Sequence, residues 1–389
     1  MQGPPSVLTL GIDASRNRSG GAKAHLIGIL SEVDPTRSGI GAVHVWAFKS
    51  LLDAIPDRPW LVKHNPSALE KGLPAQLWWQ ATGLIREARE VGCDILFTTD
   101  ASTVCRFQPM VVLSQDMLSY EPNVMQSFGH GYSRARLIAI LYLQNWVFRR
   151  AQGVIFLTRY AATAIQQSCG LLPNITHIPH GVGAAFQALE AAHTWPPVAG
   201  RAVRCLYISN TAPYKHQWHV VRAVAQLRQR GYALQLELVG GGEGKAQTRL
   251  EAQIALSDPG REFVTQREFV PQQTLPGLLE AADLFVFASS CENMPNTLVE
   301  AMAAGLPIAS SNRGPMPEVL EDGGVFFDPE DPNSIAAAIE DLITNSGKRT
   351  RLAARAKELS RQYSWARCAR ETFSFIAQTA KRITQSGQR

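Results

Sequence analysis

The sequence lacks several features that would restrict its location and chemistry. It has no apolar run of about 18 residues, so no membrane-spanning helix is expected. The segment from Met1 to Ile12 has no basic flank and only a short apolar stretch, so no signal peptide is expected. No Cys/His cluster has zinc-site spacing, and no Asp-x-Asp motif occurs. The 6 cysteines are widely separated. These absences favour reduced thiols, a cytoplasmic protein and chemistry without a metal cofactor.

Acidic residues are missing from one long stretch. The net charge is only +5, but residues 122–189 contain no Asp or Glu and include Arg134, Arg136 and Arg149. An uneven basic surface attracts anions such as phosphorylated substrates or anionic lipid. Aromatic and basic residues are not interleaved as in nucleic-acid platforms, so a nucleic-acid partner is not expected. A solvated basic face explains the same pattern equally well.

Short apolar strands alternate with helical patterns along the whole chain. This alternation predicts an α/β protein with two doubly wound parallel-sheet (Rossmann-like) domains facing across a cleft. The predicted division is an N-terminal domain over 1–187, a linker over 188–204, a second domain over 205–364 and a C-terminal helix over 365–389.

The residue pattern from Ser133 to Arg150 predicts a helix with basic residues at both ends. Its middle is apolar nearly all round, which favours burial in the core. Contact with an anionic membrane surface is the alternative interpretation.

Two glutamates stand in the most informative segment. The apolar strand Leu284 to Ala288 leads into a polar loop that contains Glu292, and a helix begins at Pro295 and Asn296. Glu300 is predicted in the first turn of that helix, whose free N–H groups form an anion site. Carboxylates beside a phosphate site are suited to accept hydrogen bonds from hydroxyl groups, so the pattern indicates a nucleotide sugar. The plainer alternative is a capping box, in which Glu300 binds only a backbone N–H.

These residues and three further motifs resemble glycosyltransferase family 4, the retaining enzymes of GT-B fold. The two glutamates match the family's pair separated by seven residues, and Lys215 in Tyr-Lys-His matches its diphosphate-binding lysine. Val239–Glu243 is similar to its glycine loop, and Ser19–Ala22 to the glycine pair after its first strand. Ile178–Val182 resembles a further signature near the end of its N-terminal half.

The resemblance implies that the C-terminal helix over 365–389 crosses back to the first domain, and it implies roles for particular positions. Lys215 and Glu292 would be the catalytic residues, and Glu300 would bind ribose hydroxyls. Contacts with the donor would come from Gly20, Gly21, Lys215, Gly241, Val270, Glu292, Asn296, Thr297, Leu298 and Glu300. Gln115 and Asp116 stand where many relatives have a histidine near the sugar, so they are candidate sugar or acceptor contacts. A family arginine is replaced by Ser209 and Asn210, and Arg313 is a candidate for the missing charge.

The resemblance therefore implies retaining transfer of a sugar from a nucleotide diphosphate to a saccharide or lipid-linked saccharide. Mannose or rhamnose is the expected sugar, and bacterial surface polysaccharide synthesis (O-antigen, lipopolysaccharide or capsule) is the expected setting. The acceptor would lie at the inner face of the cell membrane. Two alternatives stay open: a nucleotide-sugar epimerase of similar fold, and a non-catalytic nucleotide- or glycan-binding protein.

Overall fold

The chain forms two compact units in a computed structural model that describes residues 7–18, 20–129, 131–189 and 201–386. The first unit comprises Met1–Tyr120, His130–Gly181 and Ser364–Arg389, and the second comprises Glu121–Gly129 and Val182–Tyr363. This division differs from the predicted boundaries, because 121–129 and 182–187 belong to the second unit. Most of the predicted linker, 190–200, lies outside the described residues, as does Ser19.

Parallel strands form the centre of each unit. In the described ranges the strands are β1 Leu8–Asp13, β2 Ile40–Trp46, β3 Leu61–His64, β4 Ile95–Thr98, β5 Met110–Ser114, β6 Gly153–Phe156, β7 Ile175–His177, β8 Val203–Ile208, β9 Leu234–Val239, β10 Val264–Arg267, β11 Leu284–Phe287, β12 Ile308–Ser311 and β13 Val325–Phe327. The first unit's sheet has the order β3-β2-β1-β4-β5-β6-β7, and the second unit's sheet has the order β10-β9-β8-β11-β12-β13. Every pairing is parallel, as predicted.

Helices connect the strands. They are α1 Gly20–Glu32, α2 Lys49–Leu52, α3 Leu73–Trp78, α4 Leu84–Glu90, α5 Pro122–Ser127, α6 Tyr132–Arg150, α7 Arg159–Cys169, α8 Ala184–Gln187, α9 Gln217–Gln229, α10 Gly244–Ser257, α11 Leu275–Ala281, α12 Asn296–Ala304, α13 Met316–Leu320, α14 Pro332–Thr344, α15 Ser346–Ser360 and α16 Trp365–Ser386. A π turn over Trp79–Gly83 joins α3 to α4. Among the described helices, none is long and apolar enough to cross a membrane.

Buried apolar strands explain why the sheets form. All four residues of β4, β6 and β11 are buried, as expected for strands covered on both faces. α12 ends at Gly305, which adopts a left-handed conformation with φ of 75° that glycine accommodates without strain.

Three elements bear on what the sequence indicated. α1 begins at Gly20, so both glycines of the pair lie in its first turn. β10 ends at Arg267, where its pairing with Val239, the last residue of β9, also ends, so Val270 lies in the loop beyond it. β3 was not predicted, since Leu61–His64 is a short edge strand without a fully buried residue.

Helix α6 is only half-buried, contrary to the burial that its sequence favoured. Gln144, Val147 and Phe148 face the core, whereas Tyr132 and Tyr142 are exposed. The apolar residues around the helix middle therefore cover two faces, only one of which packs against the first unit.

The final helix is part of the first unit and packs on α1. The Trp365 ring occupies the space that a side chain at Gly28 would need. His25 stacks on His180 with ring centroids 4.9 Å apart, and His180 lies 5.7 Å from the Trp365 ring. Burial lowers the pKa of His25 well below its ordinary value, so the His25 ring is neutral. The motif at Ile178–Val182 thus has a packing role beside α16.

A stability prediction follows from the packing at Gly181. A Cβ at this position would collide with the Trp365 backbone and stand 2.6 Å from the Ser364 carbonyl carbon, atoms that cannot rotate away. We expect Gly181→Ala to lower the free energy of unfolding by about 1–3 kcal/mol, measured by urea denaturation. Gly72→Ala is the matched control, because the nearest atom, Pro74 Cδ, is 3.8 Å away and φ is −63°. Equal stability of the two variants would contradict the packing role.

Candidate functional site

Polar loops meet at the carboxyl edge of the second unit's sheet. The loop after β8 covers 209–216, the loop after β9 covers 240–243, and the loop after β11 covers 288–295. Because the carboxyl ends of parallel strands share one edge, ligands of doubly wound sheets bind there. Hydrogen bonds join the loops: Thr211 N donates to Gly241 O over 3.1 Å, and Ser290 N donates to Tyr214 O over 2.8 Å.

Lys215 and Glu292 form an ion pair between Nζ and Oε1 in this region. Both side chains are largely buried, with 9% and 16% exposure. The Lys215 backbone is also fixed, because Tyr207 Oη donates to its carbonyl oxygen over 2.7 Å. The sequence placed these residues after strands β8 and β11, and the sheet order makes those strands neighbours. The structure therefore brings the two predicted catalytic residues together.

His216 fixes the turn that carries Lys215. Its φ of 49° is left-handed, which is uncommon for a residue other than glycine. The Nε2 atom lies 2.9 Å from Ser290 Oγ, so the ring ties the loop after β8 to the loop after β11. Burial lowers the pKa of His216 to about 4, so the imidazole is neutral at physiological pH.

The glycine loop allows close contact with its neighbours. Gly240 has φ of 106°, and a Cβ there would stand 2.6 Å from Ser209 O. A Cβ at Gly242 would stand 2.6 Å from Thr211 O, and one at Gly241 would collide with the Glu268 carboxylate. Gly240 and Gly242 are therefore required by the protein's own packing, because the atoms they approach are backbone atoms, whereas the Glu268 side chain beside Gly241 can move.

The N-terminus of α12 lies at the end of β8, where Thr297 Oγ1 donates to Ile208 O over 3.3 Å. The residue before the helix is Pro295, whose side chain has no polar atom to cap the helix. Leu298 N already donates to Pro295 O over 3.1 Å. No acceptor is present for Thr297 N among the backbone and side-chain hydrogen bonds of the described chain. Thr297 therefore offers the freer of the two N–H groups that the sequence predicted as donors.

Glu300 is buried with one oxygen unsatisfied. It is the fifth residue of α12, so it lies beyond the first turn, and the predicted capping box does not form because Thr297 bonds to β8 instead. Its exposure is 7%, and Oε2 has no hydrogen-bond partner in the part of the chain that the structure describes. Burial raises the pKa of Glu300 to about 8, although the nearby Gln272 side chain acts in the opposite direction. Such a carboxyl group is a ready acceptor for a ligand hydroxyl.

Two residues near this edge were missed by sequence reasoning. Gln272 comes five residues after β10 and still reaches Glu300. The Thr211 hydroxyl is buried, and within the described ranges it has no hydrogen-bond partner. The only sequence signal for either was a polar residue shortly after a strand, which is too common to single out a site.

Arg313 does not stand free to replace the missing family arginine. Its guanidinium pairs with Asp328 over 3.1 Å, and its backbone N–H donates to Ser311 Oγ. Val270, predicted beside the base, follows β10 and is half-buried.

The remaining predicted residues belong to the first unit. Gly20 and Gly21 are the first residues of α1, and a Cβ at Gly20 would meet no atom within 4 Å. Gln115 Nε2 donates to Thr99 O over 3.0 Å after β5. Asp116 Oδ1 accepts from Leu118 N over 3.0 Å, and burial raises the pKa of Asp116. The side chains of Gln115 and Asp116 thus hold their own loop at the carboxyl edge of the first unit's sheet.

The first unit also contains a buried polar network that the sequence did not reveal. Asp13, at the end of β1, accepts from Ser15 Oγ over 2.6 Å and from Gln80 Nε2 over 2.7 Å. Burial raises the pKa of Asp13. Gln80 lies in the π turn, and the sequence gives no signal for the position of that turn. In the described residues there is no group of three or more His, Cys, Asp or Glu side chains that could hold a metal ion.

Comparison with known proteins finds a family model that matches most of the second unit. The family model described as "Glycosyl transferases group 1" matches residues 198–359. The second unit therefore contains a glycosyltransferase group 1 domain. This domain carries Lys215, Gly241, Glu292 and Glu300.

The curated relatives with the higher sequence identities match only part of this chain. The O-antigen chain mannosyltransferase B of Escherichia coli is 35% identical over 106 residues, which are 27% of this chain and 28% of that protein. The chain spans only 28–32% of the length of the two curated relatives that it matches at 35–39% identity.

Solved structures show the fold of the whole chain. Sucrose-phosphate synthase from Thermosynechococcus elongatus aligns with a TM-score of 0.75 and 18% identity, covering 97% of this chain and 100% of that one. HepE from Anabaena in complex with UDP aligns with a TM-score of 0.69 and 20% identity, over 97% and 100% of the two chains. The two parallel-sheet units are therefore those of the GT-B fold.

Glu300 gives a pH prediction. The pKa of Glu300 is about 8 in the folded protein, above its ordinary value of 4.5. The folded state therefore binds this proton more tightly, and the free energy of unfolding falls as pH rises from about 4.5 to about 8. Glu300→Gln should remove this loss. We expect its gain over wild type, measured by urea denaturation, to be about 2 kcal/mol larger at pH 9 than at pH 6. Glu251→Gln, at an exposed acid on α10, should show no such pH dependence. A pH-independent difference for Glu300→Gln would contradict its burial as an acid.

Proposed function

We propose that this protein is a retaining glycosyltransferase that moves a sugar from a nucleotide diphosphate to a saccharide or lipid-linked saccharide. One observation carries the proposal: the Lys215–Glu292 ion pair lies at the sheet edge where α12 begins, and α12 carries the buried Glu300, whose Oε2 has no partner among the described residues. That set combines positive charge for a diphosphate with acceptors for hydroxyl groups. The glycosyltransferase group 1 match over the same residues supports it.

The diphosphate is proposed to bind Lys215 and the N–H of Thr297, with Asn296 and Leu298 as neighbouring contacts whose N–H groups also donate to Met294 O and Pro295 O. Negative charge grows on the leaving phosphate as the glycosidic bond breaks, so groups placed there stabilise the transition state. The Thr211 hydroxyl offers a further donor in the loop where Ser209 and Asn210 replace the family arginine.

Glu292 is proposed to accept hydrogen bonds from hydroxyls of the transferred sugar and to steady positive charge that develops at its ring. The ion pair with Lys215 holds the carboxylate in place before the donor arrives. The enzyme then supplies no nucleophile. The departing phosphate oxygen takes the proton of the acceptor hydroxyl, and that hydroxyl oxygen bonds to the anomeric carbon on the same face.

The nucleoside is proposed to lie along Glu300 and the chain after β10. Two ribose hydroxyls would satisfy the Glu300 carboxylate, including Oε2, which has no partner elsewhere in the described structure. Val270 would meet the base through its backbone, and Gly241 would line the path between. Gly20 and Gly21 are proposed as further donor contacts, and Gln115 and Asp116 as sugar or acceptor contacts, from the family resemblance.

The sugar and setting are proposed from similarity. The E. coli relative is described as an O-antigen chain mannosyltransferase. This supports mannosyl transfer, with rhamnosyl transfer as the other choice, during synthesis of bacterial surface polysaccharide by a cytoplasmic enzyme. We also infer that no metal cofactor is needed, since Lys215 and the helix N-terminus supply the charge that a metal would give. Activity should then persist in EDTA.

A nucleoside diphosphate release assay tests the proposed function. The chain is incubated with UDP-, GDP-, dTDP- and ADP-linked sugars and a lipid-linked saccharide extract, and products are identified by mass spectrometry. Free nucleoside diphosphate with a glycosylated acceptor supports glycosyl transfer. An epimerised nucleotide sugar would instead identify an epimerase, and binding without turnover would identify a binding protein.

Glu292 gives the sharpest activity prediction. Glu292→Ala should lower kcat/KM roughly 30- to 1000-fold, about 2–4 kcal/mol of transition-state stabilisation, because a preorganised polar contact is lost. Glu292→Gln keeps the size of the side chain and should lose nearly as much, since the charge is absent. Thermal unfolding of both variants separates this effect from misfolding. Near-normal turnover in Glu292→Gln would remove Glu292 from the mechanism.

Helix α6 supports a peripheral contact with anionic membrane. Tyr132, Ile138, Tyr142 and Trp146 are exposed, and at 3.6 residues per turn they lie on about one third of the helix circumference. Arg150 lies 4.2 Å from the centroid of the Trp146 ring, and residues 122–189 contain no acid. An apolar stripe flanked by arginines suits the boundary between lipid head groups and acyl chains.

Vesicle sedimentation tests this contact. We expect the chain to sediment with phosphatidylglycerol vesicles more than with phosphatidylcholine vesicles, and Tyr142→Glu to reduce that binding several-fold. Leu171→Glu is the matched control, because Leu171 is 92% exposed in the same unit but lies outside α6. Equal binding to both lipids, or equal losses in the two variants, would contradict the proposed surface.

A further inference from the structure

An aromatic ring stands exposed beside the proposed donor site. Phe269 follows β10 by two residues, and its exposure is 83%. Single exposed apolar residues are common on protein surfaces, so exposure alone indicates nothing. The position of Phe269 within its loop is what makes the ring informative.

The loop that holds Phe269 runs between two parts of the site. At its start, Gly240 N donates to Arg267 O over 3.1 Å, and the Glu268 carboxylate fills the space beside Gly241. At its other end, the Gln272 side chain interacts with Glu300. Phe269 therefore belongs to a segment that joins the glycine loop to the buried acid.

We propose that Phe269 stacks on the nucleobase of the donor. This inference rests on the proposed function, in which Glu300 binds the ribose hydroxyls. The base is attached to the ribose carbon next to one of those hydroxyls, so a ribose held by Glu300 presents its base to the neighbouring loop. A flat apolar ring contacts a base through its face, and such stacking tolerates different bases.

Stacking would explain how the site binds a base without a charged side chain that contacts it. The other side chains at the start of the loop are engaged elsewhere: Arg267 pairs with Glu237, and Glu268 lies against Gly241. Phe269 thus supplies apolar contact area, while hydrogen bonds to the base come from backbone groups near Val270.

Binding measurements on variants test the role of Phe269. The probe is whichever of UDP, GDP, dTDP and ADP most raises the melting temperature of the wild-type chain. By isothermal titration calorimetry, Phe269→Ala should weaken binding of that nucleotide about 5- to 150-fold, the range measured for loss of one base–aromatic stack. Phe269→Tyr should restore affinity to within a few-fold of wild type. Affinity for pyrophosphate, which has no base, should not change.

Leu256→Ala is the matched control. Leu256 is 79% exposed in the same unit, but it lies twelve residues into α10, roughly 18 Å along the helix axis from the carboxyl edge of the sheet. This variant should bind the nucleotide as wild type does.

The outcomes separate this inference from the proposed function. If wild type binds none of the four nucleotides, the proposed function fails and the inference fails with it. If wild type binds one of them and Phe269→Ala binds equally well, only the stacking role is overturned. A loss of affinity for pyrophosphate equal to that for the nucleotide would also overturn it, since the substitution would then have disturbed the loop.

Discussion

The ion pair between Lys215 and Glu292 is the interaction on which the candidate site depends. It joins loops that leave neighbouring strands β8 and β11, and Ser290 reinforces the same junction through Tyr214 and His216. A largely buried pair of this kind is costly to desolvate, and breaking it by removing one partner leaves an uncompensated charge. The pair is therefore better understood as a positioning device than as a source of stability. It aligns a cation and a carboxylate at the sheet edge before any ligand binds.

Glu300 is also buried, but unlike Glu292 it is not part of an ion pair. It has no cationic partner among the described residues, and desolvation alone raises its pKa. The fold carries this group at a cost in stability, which is typical of positions retained for binding rather than for packing. Glu292 is ion-paired and Glu300 is largely protonated at neutral pH. The candidate site therefore offers two different kinds of hydrogen-bonding group. A ligand with both a phosphate and several hydroxyl groups matches them.

Much of this arrangement could be predicted from the sequence. Strand Leu284–Phe287, the helix start at Asn296 and the glycine end at Gly305 have local signals, and the fold class follows from the alternation of strands and helices. Gln272 could not be predicted, because its approach to Glu300 depends on the path of a loop beyond an edge strand. For α6 the sequence favoured burial over an exposed face, because the apolar pattern of a helix does not show which neighbours cover it. Residues 121–129 carry no signal in composition that would assign them to the second unit.

Trp365 has a practical consequence for dissecting the protein. The chain returns to the first unit at Ser364, and the Trp365 ring fills the space over Gly28 while its backbone lies against Gly181. A fragment that stops before this helix leaves an apolar groove open on α1, and a fragment that begins after Gly181 carries a helix without its docking surface. Expression of either half alone therefore requires the last 26 residues to be grafted onto the N-terminal part or removed from the C-terminal part (residues 364–389).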